Sequence, residues 1–331
     1  PASQPVSSAG PASRPAPDPA EAAPTKPRIR AHRVLGRTGF KVSDIGLGCG
    51  RISDAAVVRH LVDRGVNYFD TAERYGNGDS ERKLGEAMPH LERGTIFITT
   101  KLKIAAADTE QTILDRFGKC LERMRTPYAD ALFMHSVTDV KLLDHGGFHK
   151  AVSKLKAAGK LRHAGVSSHG PRDSKGDGME KVLVAAAADG RFDLMLLVYN
   201  YLNRDQGEEI LAACKANNVG ATLMKVAPGR LRVPTFDPDS PGDFAPALRV
   251  LMGRGMTRAE AVAKIKSSLA RQAREQATNQ ARVDAFVARH GVKTEQELRA
   301  KSVLWSLQNE DAHTVCVSMP DFETVDRILP L

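Results

Sequence analysis

Gly65-Val-Asn-Tyr-Phe-Asp-Thr-Ala-Glu-Arg-Tyr-Gly76 changes character half-way along. Residues 67–70 form a short run that closes on a carboxylate; the residues after it are polar, reach Tyr75 and stop at a glycine. A short apolar run without alternation reads as a strand covered on both faces, as parallel strands between helices are. The texture recurs at 45–49, 95–101, 129–135, 162–167, 193–199, 220–225 and 314–317, which makes eight runs in all. Amphipathic helices are legible between them. Ser53 is placed to cap one with Val58, Leu61 and Val62 inward, and Gly65 stops it. Thr109 opens another, with Ile113, Phe117, Leu121 and Met124 at helical spacing, and Ile210, Leu211 and Cys214 stripe a third. Eight parallel strands alternating with helices predict a closed (β/α)8 TIM barrel. An open doubly wound sheet is the other option, but no Gly-x-Gly-x-x-Gly follows the first run.

Two regions lie outside that repeat. Upstream, Arg33-Val-Leu-Gly-Arg-Thr-Gly-Phe-Lys-Val42 reads as an N-terminal β-hairpin. Downstream, the connection from Lys225 to the last run is far longer than the roughly thirty residues of an ordinary βα unit. It holds a Pro/Gly/Asp loop over 227–246, one or two long basic helices over 258–289, and a final barrel helix over 295–308. We therefore expect a long helical insertion, about 227–294, before the last strand. The expected organisation is a tail over 1–32 and a barrel over 33–331.

The first thirty residues hold eight of the 18 prolines and seven alanines with no apolar period. Such a segment buries too little surface to offset its ordering entropy, so we expect disorder. It has no apolar core of a signal peptide and no initiator Met. A cytoplasmic location is expected, with export after cleavage of an upstream signal as the alternative.

The formal net charge of +9 is concentrated in two stretches. Residues 1–33 carry five Lys/Arg against Asp18 and Glu21, and 258–301 carry ten against five. The remaining surface is nearly balanced, and with five Tyr and one Trp it lacks the stacking platforms of a nucleic-acid binder. The basic helices are expected to be a solvated face, with a docking surface for an acidic partner as the alternative. No apolar run approaches the ~18 residues of a membrane span. Cys49, Cys120, Cys214 and Cys316 are scattered, without metal-ligand spacing, so no metal site is expected.

In such a barrel, functional groups sit at the C-terminal ends of the strands. Asp70, Tyr75, Lys101 and His135 follow the ends of three successive runs and should meet at one mouth. Lys101, held by Asp70, would favour the Tyr75 phenolate, whose ordinary pKa is near ~10. His135 can orient a carbonyl or alcohol oxygen. Singly, each has a structural explanation: a barrel-end ion pair, a loop aromatic, a satisfied histidine. Together they point to proton transfer at an oxygen.

From Val34 to about Ile328 the chain resembles the aldo-keto reductases. The resemblance rests on Val34-Leu-Gly-Arg-Thr-Gly39, Gly65 to Gly76 as quoted, and Ser80-Glu-Arg-Lys-Leu-Gly-Glu-Ala87. It continues with Thr99-Thr-Lys101, His135, Gly159-Lys-Leu-Arg-His-Ala-Gly-Val-Ser-Ser168 and Tyr199-Asn200. It implies reduction of a small-molecule carbonyl substrate with NADP(H), with Tyr75 as proton donor in a tetrad with Asp70, Lys101 and His135. On the cofactor side the family pattern is altered. Ser167-Ser168 replaces a Ser-Asn pair, Leu196 a Gln, and Met224 an aromatic residue. After the last run, Ser318-Met-Pro-Asp321 stands where the family carries basic residues for the adenosine 2′-phosphate, and Ile328 where it carries Asn. Lys225 and Arg230 are the remaining candidates for the pyrophosphate. The expectation is weak or absent NADP(H) binding with little preference for the 2′-phosphate. The alternative function is a barrel that keeps the tetrad without using NADPH, as a redox-neutral lyase or isomerase or a ligand-binding protein.

Overall fold

The computed structural model describes residues 28–171, 175–253 and 255–329; most of the expected 1–32 tail lies outside the described residues. A hairpin comes first, β1 (His32–Val34) antiparallel to β2 (Lys41–Ser43), with Arg33 opposite Val42. Eight parallel strands follow: β3 (Ile45–Gly48), β4 (Tyr68–Asp70), β5 (Phe97–Leu102), β6 (Ala129–Met134), β7 (Leu161–Ser168), β8 (Leu194–Val198), β9 (Gly220–Met224) and β10 (Thr314–Val317). Each pairs with the next, and β10 also pairs with β3, so the sheet closes into a barrel.

The helices between the strands are α1 (Ala55–Val62), α2 (Asp79–Ala87), α3 (Glu110–Met124), α4 (Gly146–Ala157), α5 (Met179–Ala188) and α6 (Arg204–Ala216). The β9–β10 connection holds α7 (Ala245–Gly253), α8 (Arg258–His290) and α9 (Glu295–Leu307), and α10 (Phe322–Ile328) follows the barrel. Asp54, rather than the expected Ser53, caps α1, accepting from Ala56 N–H at 2.8 Å. Thr109 caps α3 as expected, through Thr112 N–H.

Side-chain alternation along the strands divides the apolar residues into two layers. Tyr68, Phe97, Ala131, Phe133, Leu194 and Leu196 form the barrel interior, joined by Leu35 and Val42 from the hairpin. Their sequence neighbours Phe69, Ile98, Leu132 and Met195 face outward, against Leu61, Phe117, Phe148 and Leu183 of the helices. The hairpin is thus the floor. Its turn approaches the start of β9 so closely that a Cβ on Gly36, at φ +48°, would stand 2.4 Å from Gly220 N. Only glycine fits there.

The basic stretch after β9 is one helix of 33 residues, opened by a reciprocal Thr257–Glu260 capping box and closed by Gly291 at φ +59°. Its buried residues fall in two groups, Ala261 and Ile265 near one end and Val283 and Phe286 near the other. The middle of α8 therefore bridges two small clusters rather than packing into the core.

Candidate active site at the barrel mouth

Strand register explains why four residues distant in sequence converge. Asp70 pairs with Thr99 across β4 and β5, so Lys101 stands two residues higher on the same face. Lys101 in turn pairs with Phe133 of β6, and His135 stands two residues above Phe133. The result is a staircase Asp70, Lys101, His135 climbing towards the mouth.

Lys101 is fully buried and its ammonium is held on two sides. Nζ donates to Asp70 Oδ2 at 2.7 Å and to the Thr71 carbonyl at 2.6 Å. Asp70 Oδ1 accepts from Thr99 Oγ1 at 2.8 Å. Tyr75 lies over this pair, its Oη accepting from Lys101 Nζ at 3.5 Å and its ring centroid 4.8 Å from Nζ. His135 meets the Tyr75 ring edge-on, at 5.7 Å between centroids.

The loop carrying Tyr75 is locked to β5. Glu73 N–H donates to the Lys101 carbonyl at 3.2 Å, and Glu73 Oε1 accepts from Lys103 N–H at 3.2 Å. Arg116 of α3 grips both Glu73 oxygens and the Lys103 carbonyl. Beyond His135, Ser136 takes φ +55°, and Lys103 Nζ donates to its carbonyl at 2.7 Å.

Electrostatics assign protonation states. The Lys101 charge pulls the Tyr75 phenol down, but burial and the Asp70 carboxylate outweigh it, and the pKa lies above the ordinary value. Lys101 thus acts in the expected direction, and the net balance keeps the Tyr75 phenol in its protonated form. Burial acts against the Lys101 ammonium, yet Asp70 and Tyr75 hold its pKa above the usual range. Burial, then the charges of Lys101, His169, Lys103 and Arg74, push His135 down to about 3, so the imidazole is neutral.

The cofactor candidates lie on the β7–β9 side of the mouth. Ser167 Oγ accepts from Ser136 N–H at 3.0 Å and donates to the Met134 carbonyl at 3.3 Å. Ser168 Oγ donates to the Val137 carbonyl at 2.7 Å and accepts from Gly170 N–H at 3.1 Å. Lys225, at φ +54°, is exposed, and its carbonyl accepts from Asn200 Nδ2. The Arg230 backbone is held in both directions by Gln276 of α8. Beside it opens a cleft of about 530 Å³ lined by Arg230, Gln272, Glu295, Arg299, Arg327 and Ile328, among others. Arg299, Arg327 and Gln272 did not figure among the sequence candidates.

The model of the aldo/keto reductase family matches residues 51–242. The chain belongs to that family. A probable aldo-keto reductase of Glycine max is 27% identical over 206 residues, 56% of this chain and 56% of that protein. An L-galactose dehydrogenase of Arabidopsis thaliana is 29% identical over 157 residues, 41% and 47% of the two chains. The matches thus span about half the length of these relatives. Among solved structures, an aldo-keto reductase from Bacillus halodurans in holo form has a TM-score of 0.61 at 18% identity, covering 90% of this chain and 89% of that one. One from Klebsiella pneumoniae in complex with NADPH has a TM-score of 0.57 at 20% identity, covering 91% and 89%. These likenesses establish the fold.

As an aldo-keto reductase the chain implies a nicotinamide dinucleotide, and its residues fit that group unevenly. At the nicotinamide end the Ser167 and Ser168 hydroxyls are engaged by the backbone, and Leu196 is buried in the barrel interior. At the other end, the Arg-lined cleft with apolar Ala227, Leu298 and Ile328 suits an anionic group carried on a ring system. The phosphate-bearing end fits.

Proposed function

We propose that the protein is an NADP(H)-dependent reductase of aldehydes or ketones in which Tyr75 delivers the proton to the carbonyl oxygen. The observation that carries this is the buried Asp70–Lys101 pair directly beneath Tyr75 Oη, with a neutral imidazole beside the ring. The dinucleotide, when bound, supplies the hydride. Arg230, Arg299 and Arg327 would hold its phosphates.

The chain's own residues handle the oxygen. His135, neutral and partly buried, donates a ring N–H to the substrate carbonyl and fixes its direction. Tyr75, kept protonated, gives its proton as negative charge develops on that oxygen. Lys101 then stabilises the phenolate left behind, and Asp70 keeps Lys101 in place. The Arg116–Glu73 grip keeps Tyr75 over Lys101 while the proton moves.

The test is a panel of aldehydes and ketones incubated with NADPH and the full chain. Consumption of NADPH matched by alcohol formed is the expected result. Turnover of a substrate without any nicotinamide nucleotide would instead favour a redox-neutral reaction at the same groups.

A further inference from the structure

On the side of the mouth that carries Tyr75, two cations stand beside the reacting groups. Arg74 and Lys103 line one cavity of about 580 Å³ beside the Tyr75 loop, together with Glu73, Asn77, Arg116 and Arg123. Arg74 immediately precedes Tyr75. Lys103 is the residue after β5, two beyond Lys101, and its Nζ donates at 2.7 Å to the carbonyl of Ser136, the neighbour of His135. Each group that handles the substrate oxygen therefore has a cation one step away.

The carboxylates of this rim are engaged elsewhere. Glu73 accepts from Arg116 and from the Lys103 N–H, and Asp70 from Lys101 and Thr99. Glu81, buried behind the loop, accepts from Arg123 and from Thr100 Oγ1, each at 2.6 Å. Arg74 is exposed, and no carboxylate among the described residues pairs with it. Its charge still reaches the site: after burial and Lys101, the charges of His169, Lys103 and Arg74 act on the His135 imidazole. A field of one sign over a cleft gathers the opposite charge and steers it inward.

We propose that the carbonyl substrate carries an anionic group, a carboxylate or a phosphate, which Arg74 and Lys103 receive while its carbonyl lies between Tyr75 and His135. This rests on the reductase reading above. Arg74 offers a planar fork of donors that matches two oxygens of such a group. Lys103 adds a compact charge whose position the Ser136 carbonyl sets. Holding the substrate at both ends aligns its carbonyl with the Tyr75 proton and disfavours neutral aldehydes, which lack the second contact.

The test is steady-state reduction with NADPH by the full chain, comparing the ω-oxo acids from 4-oxobutanoate to 6-oxohexanoate with their methyl esters. Each pair differs in charge at matched length, and glyceraldehyde 3-phosphate against glyceraldehyde makes the same comparison for a phosphate. Charge-assisted contacts to one or two cations predict a kcat/KM ratio of roughly 10- to 1,000-fold in favour of the anion in at least one pair. Arg74→Gln and Lys103→Gln should each lower that ratio by about tenfold, and added salt should lower it in the wild-type chain. Damage to the loop would slow anion and neutral partner alike and leave the ratio where it was. A ratio near one in every pair, or a ratio that survives in the double variant, would overturn the proposal while the turnover itself upheld the reductase reading. Where no aldehyde is reduced, calorimetric titration with glutarate and with glycerol 3-phosphate decides. Binding of either that Arg74→Gln weakens about tenfold would uphold the anion site and sink the reductase reading, and no binding of either would overturn the site as well.

Discussion

At Tyr75 two fields oppose each other, and their balance decides what the residue does. Lys101 favours the phenolate, while burial and Asp70 favour the phenol and prevail. His135 is driven the other way from protonation, to about 3. The pH profile of kcat/KM for reduction should therefore be flat through pH 6–8, with no limb near the ordinary histidine value of ~6.5, and fall only on the alkaline side beyond ~10. A limb at pH 6–7 that vanished in His135→Gln would contradict this. The same shift has a stability consequence. The folded pKa of His135 lies below its unfolded value, so the unfolded chain binds more protons between about pH 6.5 and 3, and acid destabilises the protein across that window. Lys101 is a poor test residue by comparison, since removing it strands Asp70 in a buried site at a cost of about 3–5 kcal/mol. Asp70, Lys101 and His135 were legible because strand ends in a parallel barrel face one mouth and period two fixes the face. Arg299 was not. It lies on the stretch read as the final barrel helix, where nothing marks it as functional, and its meeting with Ser318 depends on how α9 packs beside β10.

Among the elements, the hairpin floor and the long helix α8 make contrasting predictions. Leu35 is fully buried and fills the bottom of the barrel interior with Phe97 and Leu194 around it. Leu35→Ala should cost about 2–5 kcal/mol in denaturant unfolding, because the closed strands above cannot collapse onto the void. A loss below ~1 kcal/mol would mean that the hairpin is not a structural floor. Helix α8 buries only Ala261, Ile265, Val283 and Phe286 along 33 residues. Amide exchange should therefore reach the α7–α8 segment well before β5, β6 and β7, as sparse burial predicts low local stability. Equal protection would mean that α8 belongs to the core. The strands were readable because each is apolar on both faces; the sequence left the basic stretch as one or two helices, and it is one, with no Gly or Pro to interrupt 258–290. The choice between Ser53 and Asp54 as cap was not readable, since both side chains serve that role equally well.

The whole molecule separates two jobs. Its walls and floor are held by apolar layers inside and outside the strands, and the polar groups proposed to do the chemistry lie on the β4–β6 rim. Within the expected tail, Ile29 packs against the core and its N–H donates to the Arg64 carbonyl at 3.1 Å. A lone isoleucine in a Pro/Ala-rich stretch carries no periodic signal, so sequence reading had no means to anchor it. The cofactor side shows the same limit on a larger scale: substitutions along one strand or loop are visible in sequence, whereas the meeting of Arg299 with the loop after β10 appears only once the chain is folded. What joins the rim, the cleft and the family is a single chemical claim, that Tyr75 is the acid in a nicotinamide-dependent carbonyl reduction. The direct measurement is NADPH-dependent turnover of the best carbonyl substrate by the wild-type chain and by Tyr75→Phe, which keeps the ring and its packing. Turnover should fall by about 10²–10⁴-fold with an unchanged melting temperature. Retention of most of the activity in Tyr75→Phe would contradict the mechanism outright.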